Sequence, residues 1–149
     1  MREERSLRGR ALALLARREF SRAELAQRLK PHAAGDSELQ ALLDALCERG
    51  QLSDERYAEM RSHVLSHKYG ASRVLHELKA KGIEGELAAR IVAQSSASEL
   101  ERARAAWRRK FRTPASSREE RARQARFLQS RGFSFDVIRA AMSGPDEAE

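Results

Sequence analysis

Glu59, His63 and His67 fall four residues apart and would share one face of a helix. Carboxylate and imidazole at that spacing can ligate a metal. A surface or partner-contacting stripe is the plainer reading of such a helical face, and no metal is assigned. No Ser/His/Asp set, paired cysteine or clustered acid pair offers a catalyst. Nor does any glycine-rich loop end in Lys-Ser or Lys-Thr to cradle a nucleotide phosphate. The chain is therefore expected to act without catalysis and without a cofactor. Its lone cysteine, Cys47, excludes an internal disulfide, and apolar neighbours predict a reduced thiol in a core.

What remains is charge. The chain carries +7 overall with a pI near 10.3, unevenly placed. Residues 1–50 hold a net +2 and residues 51–99 balance, whereas residues 100–140 set twelve bases against four acids. The last nine residues add three acids and no base. The candidate binding residues are Arg102, Arg104, Arg108, Arg109, Lys110, Arg112, Arg118, Arg121, Arg123 and Arg126. Arginine's planar fork suits phosphate and carboxylate alike, so a nucleic acid or an acidic protein surface is the expected partner. A solvated arginine-rich surface is the competing account. Trp107, Phe111 and Phe127 interleave with these charges and could stack bases, but their helical spacing favours a core.

These side chains need helices to present them. Only eight residues are β-branched, while Ala, Leu, Glu and Arg dominate, so the expected fold class is all-α. Apolar periodicity predicts nine helices, the first from Leu7 to near Arg18. The third, opened by Asp36 or Ser37, carries Leu39, Leu42, Leu43, Leu46 and Cys47 on one face. The fourth runs through Met60, Val64 and Leu65. Ser21, Ser53, Ser117 and Ser134 are candidate caps, and Phe20–Leu25, Leu52–Tyr57 and Phe133–Ile138 have staple spacing. The longest apolar run, Ala11 to Ala16, is too short to span a membrane or to form a signal-peptide core, which predicts a soluble, cytoplasmic protein.

One pattern recurs. Leu46 to Arg49-Gly50, Leu78 to Lys81-Gly82-Ile83 and Leu128 to Arg131-Gly132-Phe133 each place a basic residue and a glycine after a leucine. Glycine supplies a left-handed helix cap, and the cation suits the negative end of the helix dipole. Phe20, Tyr69 and Phe111 mark the first junction of each group of three helices, and the basic-glycine pair the second. The expectation is a tandem array of three three-helix repeats, elongated and curved. Its boundaries fall at 1–50, 51–96 and 97–143, with Ser95 to Ser98 a polar joint and 144–149 an acidic disordered tail.

The ordered set of these stretches resembles the RecX family of bacterial recombination regulators. The likeness is carried by Glu19-Phe20-Ser21-Arg22-Ala23-Glu24-Leu25, Leu52-Ser53-Asp54-Glu55-Arg56-Tyr57, Tyr69-Gly70, Lys81-Gly82-Ile83 and Arg131-Gly132-Phe133-Ser134-Phe135. The resemblance implies a monomeric regulator lying in the groove of the RecA filament on single-stranded DNA. There it would restrain filament growth, ATP hydrolysis by RecA and strand exchange, modulating DNA repair and the SOS response. The ten basic residues would then face RecA or DNA. A second reading is a stand-alone helix-turn-helix DNA-binding protein, since Leu14 to Leu29 with Ser21 at the turn has that form.

Overall fold

A computed structural model describes residues 6–94 and 99–143, and all regular structure among them is helical. Among the described residues nine α-helices follow one another: α1 (Leu7–Leu15), α2 (Arg22–Leu29), α3 (Asp36–Glu48), α4 (Asp54–Ser66), α5 (Ala71–Ala80), α6 (Gly85–Gln94), α7 (Glu99–Lys110), α8 (Arg118–Ser130) and α9 (Phe135–Met142). A 3-10 turn, Lys30–His32 with Pro31 inside it, prolongs α2. The Ser95–Ser98 joint and the 144–149 tail lie outside the described residues.

The serine caps act as the spacing predicts. The hydroxyls of Ser21, Ser53, Ser117 and Ser134 accept from the amides of Glu24, Arg56, Glu120 and Val137 at 3.1, 3.1, 3.1 and 3.3 Å. Each satisfies one orphan donor of a helix start. The third helix differs from expectation: its N-cap is Gly35, with no side-chain bond, and Asp36 is already helical. The first stops at Leu15, three residues early.

Three apolar clusters form along the chain. Ala11, Phe20, Leu25, Leu29, Leu39, Leu43, Leu46 and Leu52 make the first. The second centres on Tyr57, Val74, Leu78, Ile83 and Ile91, and the third on Ala103, Leu128, Phe133, Ile138 and Ala141. The chain is thus a tandem helical repeat arrangement, each triplet burying its own core. Phe133 is 3% exposed and shares its cluster with Ile138. Phe133→Ala should therefore cost about 3 kcal/mol, measurable as a lowered urea midpoint at constant slope.

Three apolar readings need correction. Cys47 is exposed: Leu39, Leu43 and Leu46 take the buried arc of α3, and Cys47 lies about 100° beyond Leu46. Its sulfur accepts a weak bond from Arg22 at 3.9 Å. Val64 is 49% exposed, because Leu65 takes the inward position on α4. Leu52 does not staple onto Tyr57; it closes the first core while Tyr57 opens the second.

The basic-glycine pairs are also not one device used three times. Gly50, Gly82 and Gly132 all have positive φ, at 71°, 82° and 90°. Each ends its helix in a Schellman turn, with Gln51, Ile83 and Phe133 amides bonding back to the Leu46, Leu78 and Leu128 carbonyls. Yet Gly50 lies between α3 and α4, so it separates triplets, whereas Gly82 and Gly132 join the second and third helices within one. In the first triplet the 3-10 turn at Lys30–His32 stands at that second junction.

The two joints between triplets share a plan that the sequence does not display. The Asp54 carboxylate, at the first residue of α4, accepts from the Arg22 amide at the start of α2 at 2.7 Å. Glu99, the first residue of α7, likewise accepts from the Ala71 amide at the start of α5 at 3.0 Å. Each carboxylate fills a helix N-terminus in the preceding triplet, where the dipole favours negative charge. The glycine turns complete the contact. A Cβ on Gly82 would stand 2.6 Å from Ala23, and one on Gly132 would run into Arg73. Gly132 also accepts from the Ser72 hydroxyl at 2.9 Å, and the Gly70 amide bonds the Arg131 carbonyl at 2.8 Å.

Candidate nucleic-acid interface

The last joint builds a strongly basic surface. Arg131, which caps α8, sets its guanidinium over the ring of Phe127 at 5.0 Å and over Tyr69 at 5.6 Å. Arg73 approaches the same Tyr69 at 5.1 Å, and Lys110 approaches Phe127 at 5.8 Å. Phe111 meets Phe127 edge-on at 5.5 Å. Alternating cations and rings thus tie the second triplet to the third, each contact contributing about 0.5–1 kcal/mol at such exposure.

Beside this stack lies a concave pocket with cations Lys68, Arg109, Lys110 and Arg131 and the imidazole of His67 around a floor of Ala106 and Phe127. Among the described residues no carboxylate lines it. Lys68, Arg109 and Lys110 are exposed, so their charges face water or a partner. A pocket of one sign concentrates potential and draws anions.

The ten basic candidates from the sequence do not form one face. At about 100° per residue, Arg102, Arg109 and Lys110 turn from Ala103 toward the second triplet. Arg104 and Arg108 turn the other way. Arg104 is half-buried and donates to the Ala140 carbonyl at 3.5 Å, which bonds α7 to α9. Arg102 is half-buried in a groove with Glu59, Ser62, His63, His67 and Gln94. Burial lowers its pKa, with the Glu99 charge acting the other way. Arg108, Arg112, Arg118, Arg121, Arg123 and Arg126 are exposed around α7, α8 and the loop between them. Of the ten, the pocket gathers Arg109 and Lys110. Lys68, Arg131 and His67 complete it, and sequence reading missed them because they come from other elements.

The Glu59–His63–His67 stripe lines the groove that also holds the Arg102 guanidinium, a poor neighbour for a cation. Among the described residues no three His, Cys, Asp or Glu side chains are arranged to hold a metal. Trp107 is half-buried and gives its indole N–H to the buried Gln124 at 2.8 Å, so its polar edge serves the α7–α8 packing. No helix among the described residues is long and apolar enough to cross a membrane.

The first joint is paired instead of open. The Glu24 carboxylate takes Arg18 at 2.9 Å and Lys81 at 3.5 Å, and Arg56 reaches Glu19 at 2.9 Å. Burial raises the Glu24 pKa, but the Arg18 bond and the charges of Arg18 and Lys81 outweigh it, so the net shift is downward from 4.5. A depressed folded pKa means that the unfolded chain binds the proton first. The stabilisation is present above about pH 4.5 and disappears as pH falls through the folded value. Glu24→Gln should flatten this acid limb of the stability curve, read as melting temperature between about pH 6 and pH 3.

Residues 53–90 match the family description "RecX, second three-helix domain" and residues 97–142 match "RecX, third three-helix domain". "Regulatory protein RecX" of Leptothrix cholodnii is 46% identical over 141 residues, covering 95% of this chain and 90% of the relative. That of Herbaspirillum seropedicae is 47% identical over 136 residues, covering 91% and 88%. The crystal structure of RecX from Lactobacillus salivarius superposes with a TM-score of 0.82 at 18% identity, over 91% of this chain and 92% of that one.

Proposed function

We propose that this chain, which belongs to the RecX family, regulates the RecA recombinase by binding its filament on single-stranded DNA. It acts by occupancy, as a monomer in the cytoplasm, and carries out no reaction of its own. The units are residues 1–50, 51–96 and 97–143, forming an elongated, curved body that follows the filament groove. Successive triplets touch successive recombinase subunits and the enclosed strand. Filament growth, ATP hydrolysis by RecA and strand exchange are restrained together, which tempers recombinational repair and the SOS response.

The observation that carries this reading is the carboxylate-free basic pocket built across the last joint. A binding surface that spans two repeats suits a partner that is itself repetitive. Arg109, Lys110, Lys68 and Arg131 supply the anion contacts, with the outer arginines Arg108, Arg112, Arg118, Arg121, Arg123 and Arg126 at their flanks.

Labelled protein mixed with preformed RecA filaments on a poly(dT) strand tests the proposal. Saturable binding to the filament, weakened by salt, is expected. Indifference to the filament combined with selection of one duplex sequence would transfer the chain to the helix-turn-helix reading.

A further inference from the structure

The basic pocket of the third triplet has a counterpart at the same place in the first, between the end of the first helix and the end of the second, while the second triplet carries a basic pocket at the first half of its first helix. In the third triplet it lies between α7 and the end of α8. In the second it lies between α4 and the cap of α5, lined by Tyr57, Arg61 and Lys81 together with Arg18 and Glu24 from the first triplet. In the first triplet it lies between α1 and the end of α2, lined by Arg10, Arg17, Arg28 and His32 over Ala13, Leu14 and Leu29.

The middle pocket shows what such a site takes. The Glu24 carboxylate enters it from the chain itself and pairs with Arg18 and Lys81. The first and third pockets contain cations and histidine but, among the described residues, no carboxylate. Arg17, Arg28 and His32 are exposed and Arg10 is half-buried. None of Arg10, Arg17 and Arg28 belongs to an ion pair among the described residues. The small net charge of residues 1–50 conceals this cluster, because Glu24, Asp44 and Glu19 of that segment serve Arg18, Arg22 and Arg56 at other surfaces.

We propose that the Arg10–Arg17–Arg28–His32 pocket is a second anion site, taking backbone phosphates of the same single strand that the third-triplet pocket holds. The inference rests on the nucleic-acid part of the function proposed above. It places strand contacts at both ends of the array and leaves the middle pocket to hold the first two triplets together. Sequence-independent contact follows, since guanidinium groups in these pockets meet phosphates and not base edges.

Fluorescence anisotropy of a labelled oligo(dT) strand, with no recombinase present, separates the two readings. Each phosphate contact on a single strand contributes about 0.7 to the log–log salt slope. Arg17→Gln with Arg28→Gln should therefore make the slope shallower by about 1.4, and Arg109→Gln with Lys110→Gln should do the same. Combining all four should double the change, and Arg61→Gln in the middle pocket should leave the slope unaltered. Arg28→Lys keeps the charge and should retain most of the affinity, which separates loss of a contact from loss of folding. An unchanged slope and affinity in the Arg17/Arg28 variant would overturn the proposal. So would unchanged DNA binding with weakened filament binding, which would give the pocket to an acidic protein surface. Recombinase inhibition by the wild-type chain is scored separately, so either reading can fail alone.

Discussion

Gly132→Ala should destabilise the chain by about 3–4 kcal/mol, the largest effect expected of any single methyl group here. Two costs combine at this position. Its φ of 90° is one that an L-residue adopts at about 1–2 kcal/mol. The new Cβ would also collide with the Cβ of Arg73 and stand 2.6 Å from its amide nitrogen. Backbone cannot swing aside as a long side chain can, so the third triplet must move off the second. At about 2–4 °C per kcal/mol for a chain of this length, melting should fall by roughly 10 °C.

Two other glycines separate the components. Gly50 has φ 71° and nothing within 4 Å of its would-be Cβ, so Gly50→Ala should cost only the conformational share. Gly70 has an ordinary φ of −80°, but its Cβ would meet the Gly132 carbonyl oxygen at 2.6 Å. Gly70→Ala should therefore cost only the steric share, about 1–3 kcal/mol. Calorimetry of the three variants checks the joint directly. Equal effects at Gly50 and Gly132 would mean that the turn of α8 does not dock on α5.

Removing the charges of Lys68, Arg109 and Lys110 together should weaken binding to single-stranded DNA or to the filament about a hundredfold at low salt. Three lost contacts at about 1 kcal/mol each give that factor. Folding should be nearly untouched, within about 0.5 kcal/mol, because these side chains are exposed and join no ion pair among the described residues. Arg108 provides the contrast. It neighbours Arg109 in sequence but turns away from the pocket, so Arg108→Gln should change affinity far less than Arg109→Gln. Equal losses would favour a diffuse charged surface over a built pocket. Titration of each variant against labelled oligo(dT) at fixed salt distinguishes them.

The sequence carries local physics well and long-range assembly poorly, and particular residues show why. Ser21, Ser53, Ser117 and Ser134 are legible as caps because the bond that each makes closes within three residues. Gly82 and Gly132 are legible as turns for the same reason. What Gly132 touches is not legible, since Arg73 lies 59 residues earlier in the sequence. Asp54 and Glu99 look like ordinary first-turn acids, although each carboxylate fills the start of a helix in the preceding triplet.

The candidate site divides along the same line. Arg109 and Lys110 stand out in a charge run, whereas Lys68 and Arg131 become part of the pocket only when α4 and α8 converge beside α7. Arg10, Arg17 and Arg28 were invisible because segment charge averages them against acids that point elsewhere. Cys47 shows a subtler limit. Five apolar positions on α3 span a wider arc than its core can cover, and the edge residue is left in solvent.

Under the proposed function this repeat array restrains a recombinase filament by occupying it. The most direct test is the ATPase rate of RecA on single-stranded DNA with the chain titrated in. Occupancy predicts a dose-dependent fall for the wild type, and a curve shifted to markedly higher concentration for the Lys68/Arg109/Lys110 variant. An ATPase rate that stays constant at saturating wild-type protein would contradict it.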